Sequence, residues 1–219
     1  MRRLAWPLLF LLWAALAHAG PVQVVPADDP DVAAGWAAYR RNDFAQAIER
    51  YRKAAARDER VAQFNLAVML MAGEGGPADP EEAVHWLRKS ADLGFARAQY
   101  ALGLLYERGE HVSRSLTQAT SWWQRAAEGG HRDAQVSLAT QYFLGRGAAR
   151  DYREAARWYE RAAEQGDEGS AYIVASLYEK GEGVPQDRTR AFYWYSRAAA
   201  GGDPAALYKA REMREQLSR

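Results

Sequence analysis

Residues Ala98–Gly109 read AQYALGLLYERG, and the fold follows from that stretch. Its apolar residues Ala98, Leu102, Leu105 and Tyr106 fall three and four apart, the buried stripe of an α-helix of about three turns. Gly109 follows the last of them, where a helix ends most readily because glycine tolerates left-handed backbone. A step of 36 residues in either direction lands on the same pattern. Ala62, Ala98, Ala134, Ser170 and Ala206 share one phase, and Leu66, Leu102, Leu138 and Val174 a second. Leu70, Tyr106, Tyr142 and Tyr178 hold a third, and Gly73, Gly109, Gly145 and Gly181 a fourth. A period of this size marks an array in which each copy packs on its neighbours.

A second helix completes each copy. Asp79, Ser115, Asp151 and Asp187 stand where a side-chain oxygen can accept from an orphan backbone N–H at a helix start. Glu82, Gln118 and Glu154, three residues on, are expected to close capping boxes, which Arg190 cannot do. Pro80 suits the first helical position. Further along come Ala83, Ala119, Ala155 and Ala191, and then Trp86, Trp122, Trp158 and Trp194. Lys53, Lys89, Arg125, Arg161 and Arg197 follow in one phase, each with an alanine two places on. Small residues at Ala67, Gly103, Ala139 and Ala175 let the two helices approach closely, and the tyrosine and tryptophan columns fill the remaining space. One hairpin cannot bury its own apolar faces, so the copies must stack.

Ala98–Gly109, together with Gly181-Glu-Gly-Val-Pro-Gln-Asp187 leading into Trp194, Tyr195, Ala198 and Ala199, resembles the Sel-like repeat, a relative of the tetratricopeptide repeat. The resemblance covers residues 53–202, with departures at His111, where the other copies have glycine, and at Phe143-Leu144, which is bulkier than its counterparts. Upstream, Gly35, Asn42-Asp43, Ala47, Tyr51 and Ala54 look like an ordinary tetratricopeptide hairpin. The resemblance implies an all-α fold, a right-handed α-α superhelix of such hairpins, acting as a protein-interaction scaffold; no catalytic residue, cofactor or metal is expected, on the motif grounds given below. In such arrays the first helix of each hairpin lines the concave face. By that register the candidate groove residues are Trp36, Tyr39, Phe64, Val68, Arg97, Tyr100, Leu104, Arg108, Phe143, Tyr172 and Tyr208. Phe64, Tyr100, Tyr172 and Tyr208 share a phase and so serve inter-repeat packing as readily as ligand contact. Trp36, Arg97, Arg108 and Phe143 break the repeat, and aromatic residues and arginine are favoured at binding hot spots.

The ends set the boundaries. Met1-Arg2-Arg3 precedes the uncharged run Leu4–Leu16 and then Ala17-His18-Ala19, which reads as a secretory signal peptide over residues 1–19, cut between Ala19 and Gly20. That run is too short to cross a membrane as a helix. Residues 20–31, rich in proline and aspartate, are expected to be an extended linker. A tetratricopeptide-like hairpin is expected over 32–58 and four Sel-like repeats over 59–202, with hairpins near 61–92, 96–129, 132–165 and 168–200. Residues 203–219 are expected to form a polar capping helix. The chain has no cysteine, which excludes a disulfide framework and a lipidated cysteine anchor. Arginine outnumbers lysine 25 to 4, a bias of GC-rich bacteria that makes the expected compartment the periplasm. Without residues 1–19 the formal charge falls from +1 to −1, which gives no electrostatic case for nucleic acid.

Signals for chemistry are sparse. Of the four histidines, His18 leaves with the signal, and His85, His111 and His131 lie in different copies without partners at metal-ligand spacing. There is no Gly-x-Ser-x-Gly and no Ser-x-x-Lys. The glycine pairs 73/75, 145/147 and 181/183 recur at the repeat period and follow no strand, so they read as interhelix turns and not as phosphate loops. Three readings of function follow: a periplasmic adaptor or regulator that binds a protein or peptide segment along the concave face; a structural part of an envelope assembly, of the polysaccharide-export or flagellar-motor kind; and a cell-wall hydrolase, for which the sequence offers no paired acid, base or nucleophile.

Overall fold

The computed structural model describes residues 29–218, so the signal peptide and most of the linker lie outside the described residues. Among the described residues there are eleven helices and no strand, the all-α repeat class expected. They are α1 Pro30–Arg40, α2 Phe44–Ala55, α3 Arg60–Ala72, α4 Pro80–Asp92, α5 Ala96–Arg108, α6 Leu116–Glu128, α7 Arg132–Leu144, α8 Tyr152–Glu164, α9 Glu168–Lys180, α10 Arg188–Ala199 and α11 Pro204–Leu217. The chain divides into two compact units, the first running to Leu105 and including Glu110–Ser113, the second taking Tyr106–Gly109 and Arg114 onward.

In the first unit Val32, Ala38, Ala47, Tyr51, Leu66 and Met69 form one buried cluster, in which the alanines admit close helix approach and Tyr51 fills the gap between the leading hairpin and α3. Helix α1 begins earlier than the linker assignment allows, because Pro30 and Asp31 are helical. Asp29 is the N-cap, its carboxylate accepting from Asp31 N at 2.8 Å with proline at the first helical position. Arg57 pairs with both Asp29 and Asp31, and Arg50 with Asp31, which ties the entry of the chain to α2.

The helix starts expected at Asp79, Ser115, Asp151 and Asp187 are all capped, with the first-turn amides of Glu82, Gln118, Glu154 and Arg190 donating to them over 2.9–3.3 Å. The capping boxes, however, do not close. Each cap's own N–H is already used, donating to the carbonyl nine residues earlier: Asp79 to Leu70 (2.9 Å), Ser115 to Tyr106 (2.8 Å), Asp151 to Tyr142 (3.0 Å) and Asp187 to Tyr178 (2.9 Å). The Glu82 and Glu154 carboxylates turn outward instead and accept from the indole N–H of Trp86 (3.0 Å) and Trp158 (3.2 Å).

That arrangement explains the cation column. The side chain three residues after each tryptophan lies over its ring: Lys89 on Trp86 at 5.1 Å, Arg125 on Trp122 at 4.6 Å, Arg161 on Trp158 at 4.7 Å and Arg197 on Trp194 at 5.9 Å. One helical turn separates the two members, and the attraction of cation for ring favours Lys or Arg there in every copy. The leading hairpin has Arg50 where the others have tryptophan, and Lys53 pairs with Glu49 instead.

A second periodic device concerns buried glutamines. Gln63, Gln99 and Gln135 stand 36 apart and each donates its side-chain amide to a carbonyl eight residues earlier, at Ala55, Ala91 and Ala127, over 3.0–3.2 Å. These carbonyls end the preceding helix, where four acceptors lack intrahelical partners. The fourth copy has Ala171 at this phase.

Candidate interaction surfaces

Of the groove candidates in the first unit, Trp36 and Tyr39 come together. Their rings stack with centroids 5.8 Å apart and planes 8° from parallel, and Phe44 tilts against Tyr39 at 5.5 Å. The spacing of three on α1 places both rings on one face, and Phe44 reaches Tyr39 across the short Asn42-Asp43 turn. The Tyr39 hydroxyl donates to Glu74 Oε1 at 3.3 Å, while Oε2 is buried without a hydrogen-bond partner. Burial pushes the Glu74 carboxyl above its ordinary value, only partly offset by that hydrogen bond. The Tyr39 hydroxyl is raised in turn, by burial first and then by the nearby carboxylate.

Two candidates of this unit are taken up by packing. Phe64 is 4% exposed and lies edge-on to Phe95 at 5.2 Å, and Leu104 is 7% exposed. Leu104 and the half-buried Val68 line a cavity of about 20 Å³ with Met71, Leu87 and Leu105, room for no more than a single water. Arg97 and Tyr100 are half-buried on α5.

In the second unit Arg108 is exposed, and Phe143 packs edge-on to Tyr152 at 5.3 Å and Tyr159 at 6.4 Å. Tyr172 meets Tyr195 at 5.2 Å, and Tyr208 is 68% exposed on α11. Beside them lies a polar group the sequence reading passed over. Tyr195 donates to Glu179 Oε2 at 2.6 Å, and Lys209 bridges Glu179 and Glu212, both at 3.0 Å. Burial would raise the Glu179 carboxyl, yet the hydrogen bonds from Tyr195 and Lys209 bring it below its ordinary value. Nothing in the sequence singled these residues out, because Glu179 and Lys209 lie about thirty positions apart and neither belongs to a repeat column.

The histidines divide. His131 caps α7, its Nδ1 accepting from Ala134 N at 3.3 Å. His85 and His111 line one open cleft. Among the described residues no three His, Asp or Glu side chains converge on a metal-sized site, and no helix is long and apolar enough to cross a membrane.

The Sel1 repeat pattern matches residues 60–95, 96–131, 132–167 and 169–203. Among solved structures, the chain is similar to a protective antigen of uropathogenic Escherichia coli strains that displays an SLR fold, at 32% identity and a TM-score of 0.74 over 94% of this chain and 43% of that one. It is also similar to a Sel1 repeat protein from Oxalobacter formigenes, at 31% identity and a TM-score of 0.71 over 78% of this chain and 50% of that one. The chain therefore spans half, or less, of the length of these relatives. Curated proteins give no match.

Proposed function

The chain belongs to the Sel1 repeat family, and from that premise we propose that it is a non-catalytic scaffold, exported to the periplasm, that binds a segment of an envelope or sensor protein. Sel1 repeat proteins are in general scaffolds for protein–protein interaction. The observation that carries the finer reading is the stacked Trp36–Tyr39 pair. It sits on the hairpin that precedes the Sel1 repeats, its rings are partly exposed, and no periodic packing requires it. Rigid aromatic pairs of this kind anchor partner side chains at little entropic cost. Export is supported by the charged start, apolar run and small-residue site of residues 1–19.

The test is affinity capture from an envelope extract with the native protein and with Trp36→Ala. A stoichiometric partner held at least about tenfold more weakly by the variant is the expected result, since hot-spot truncation costs about 2 kcal/mol or more. Equal capture by both proteins overturns the assignment to α1. Export is checked separately: the protein recovered from the periplasmic fraction should begin at or near Gly20.

A further inference from the structure

One loop breaks the repeat and borders an open cleft. Three of the four interhelix loops carry a second glycine, Gly75, Gly147 and Gly183, at φ 84°, 69° and 74°. Each loop closes onto the first residue of the second helix in the hairpin before it. A Cβ at Gly75 would lie 3.0 Å from Ile48 and 3.1 Å from Phe44, and at Gly147 or Gly183 it would collide with the Leu116 carbonyl or with Tyr152. In the remaining loop this place belongs to His111, at φ 57°, and the first residue it should meet is Pro80 of α4. A histidine brings a Cβ to a phase where the other three loops have none, on the loop that faces α4. Between them lies an open cleft of about 640 Å³ lined by Pro80, Glu81, Val84, His85, Arg88 and His111. All six belong to the first unit.

The lining has a defined chemistry. Glu81, Val84, His85 and Arg88 fall at spacings of three and four, on one face of α4. Val84, buried, and Pro80 make an apolar floor. Three of the lining side chains, His85, His111 and Arg88, are nitrogen donors against one carboxylate, Glu81. Arg88 is also engaged within the chain, so the two imidazoles give the cleft its distinguishing donors. The charged groups around them are Glu81, Arg88, Lys89 and Glu82 on α4, Glu82 being paired with Arg52 of α2, and Glu110 next to His111 in the loop.

We propose that this cleft receives an acidic side chain of a protein partner, its carboxylate held by His85, His111 and Arg88 and its methylenes lying on Val84 and Pro80. This rests on the scaffold reading and adds a partner chemistry to it.

The experiment is a titration of the full chain with hexaglutamate, and separately with hexalysine, followed through the imidazole NMR signals. Hexaglutamate should shift the His85 and His111 signals and bind at least about fivefold more tightly than hexalysine, since the lining offers nitrogen donors to a carboxylate. His111→Gly, which restores the residue of the other three loops, should bind hexaglutamate at least about threefold more weakly while keeping the native helix signal by circular dichroism. Shifts that spare both histidines, unchanged binding by His111→Gly, or an equal response to hexalysine overturn the proposal. A protein that ignores hexaglutamate yet still captures its partner through Trp36 overturns the cleft alone and leaves the scaffold reading standing.

Discussion

At the scale of single residues, the half-buried Glu74 and the buried Gln99 act on stability with opposite signs. Glu74 is a carboxylate whose folded-state value lies above its unfolded one, because burial disfavours its charge. Between those two values the unfolded chain has lost its proton and the folded chain has kept it, so stability falls as the pH rises through that window. Glu74→Gln should therefore melt higher than the native protein at pH 7 and show no such gain below the ordinary carboxylate range, in parallel thermal melts at the two pH values. Gln99 has the reverse role. Its amide bond to the Ala91 carbonyl is buried, and Gln99→Ala removes both that bond and packed volume, with an expected loss of about 1–2 kcal/mol in urea unfolding. The glutamine column was present in the sequence at the same period as the alanines, but its meaning was not readable there. A glutamine in a helix is by default a surface residue, and only the fold shows a helix end lying eight residues back within reach. Phe64 and Leu104 teach the complementary lesson: register placed them on the first helices of their hairpins, while the side chains turn into the packing between elements.

At the scale of the element, most helix positions were readable to within a residue or two because three signals recur with the period: an oxygen-bearing cap before the second helix of each repeat, an apolar stripe, and a glycine after the first. The first helix was placed too late for want of weight on Asp29-Pro30, the same cap-and-proline pair read correctly at Asp79-Pro80. The capping boxes failed for a reason no local pattern carries, since the cap amide is taken by a carbonyl of another helix. The remaining half of the motif still matters. Asp151 Oδ1 accepts from both Arg153 N (2.8 Å) and Glu154 N (3.1 Å), so Asp151→Ala should destabilise the protein by about 1 kcal/mol, as a shift of the urea midpoint without a change in slope. Gly147→Ala should cost more than that, because left-handed backbone and a collision with the Leu116 carbonyl add together; the same unfolding measurement separates the two variants.

At the scale of the whole molecule, the repeat makes removal of one full period a milder change than removal of part of one. Deleting residues 132–167 joins Gly130-His131 to Glu168 in the phase that Asp167 occupied, and each surviving helix meets a neighbour of the kind it had before. Such a variant should remain helical with a single cooperative melt at lower temperature, whereas a deletion of about thirty residues across the same segment should lose cooperativity. The sequence thus revealed the class of fold through its period and left the interaction surfaces largely unread, since those depend on which exceptions to the period stand next to one another. The bonds from Asp79, Ser115, Asp151 and Asp187 back to the preceding helices bear on how the molecule breathes. These four amides lie outside any helix, yet each can exchange with deuterium only when its loop lifts off the helix before it, so they should be as slow as amides in mid-helix and report, one per repeat, the opening of successive hairpins.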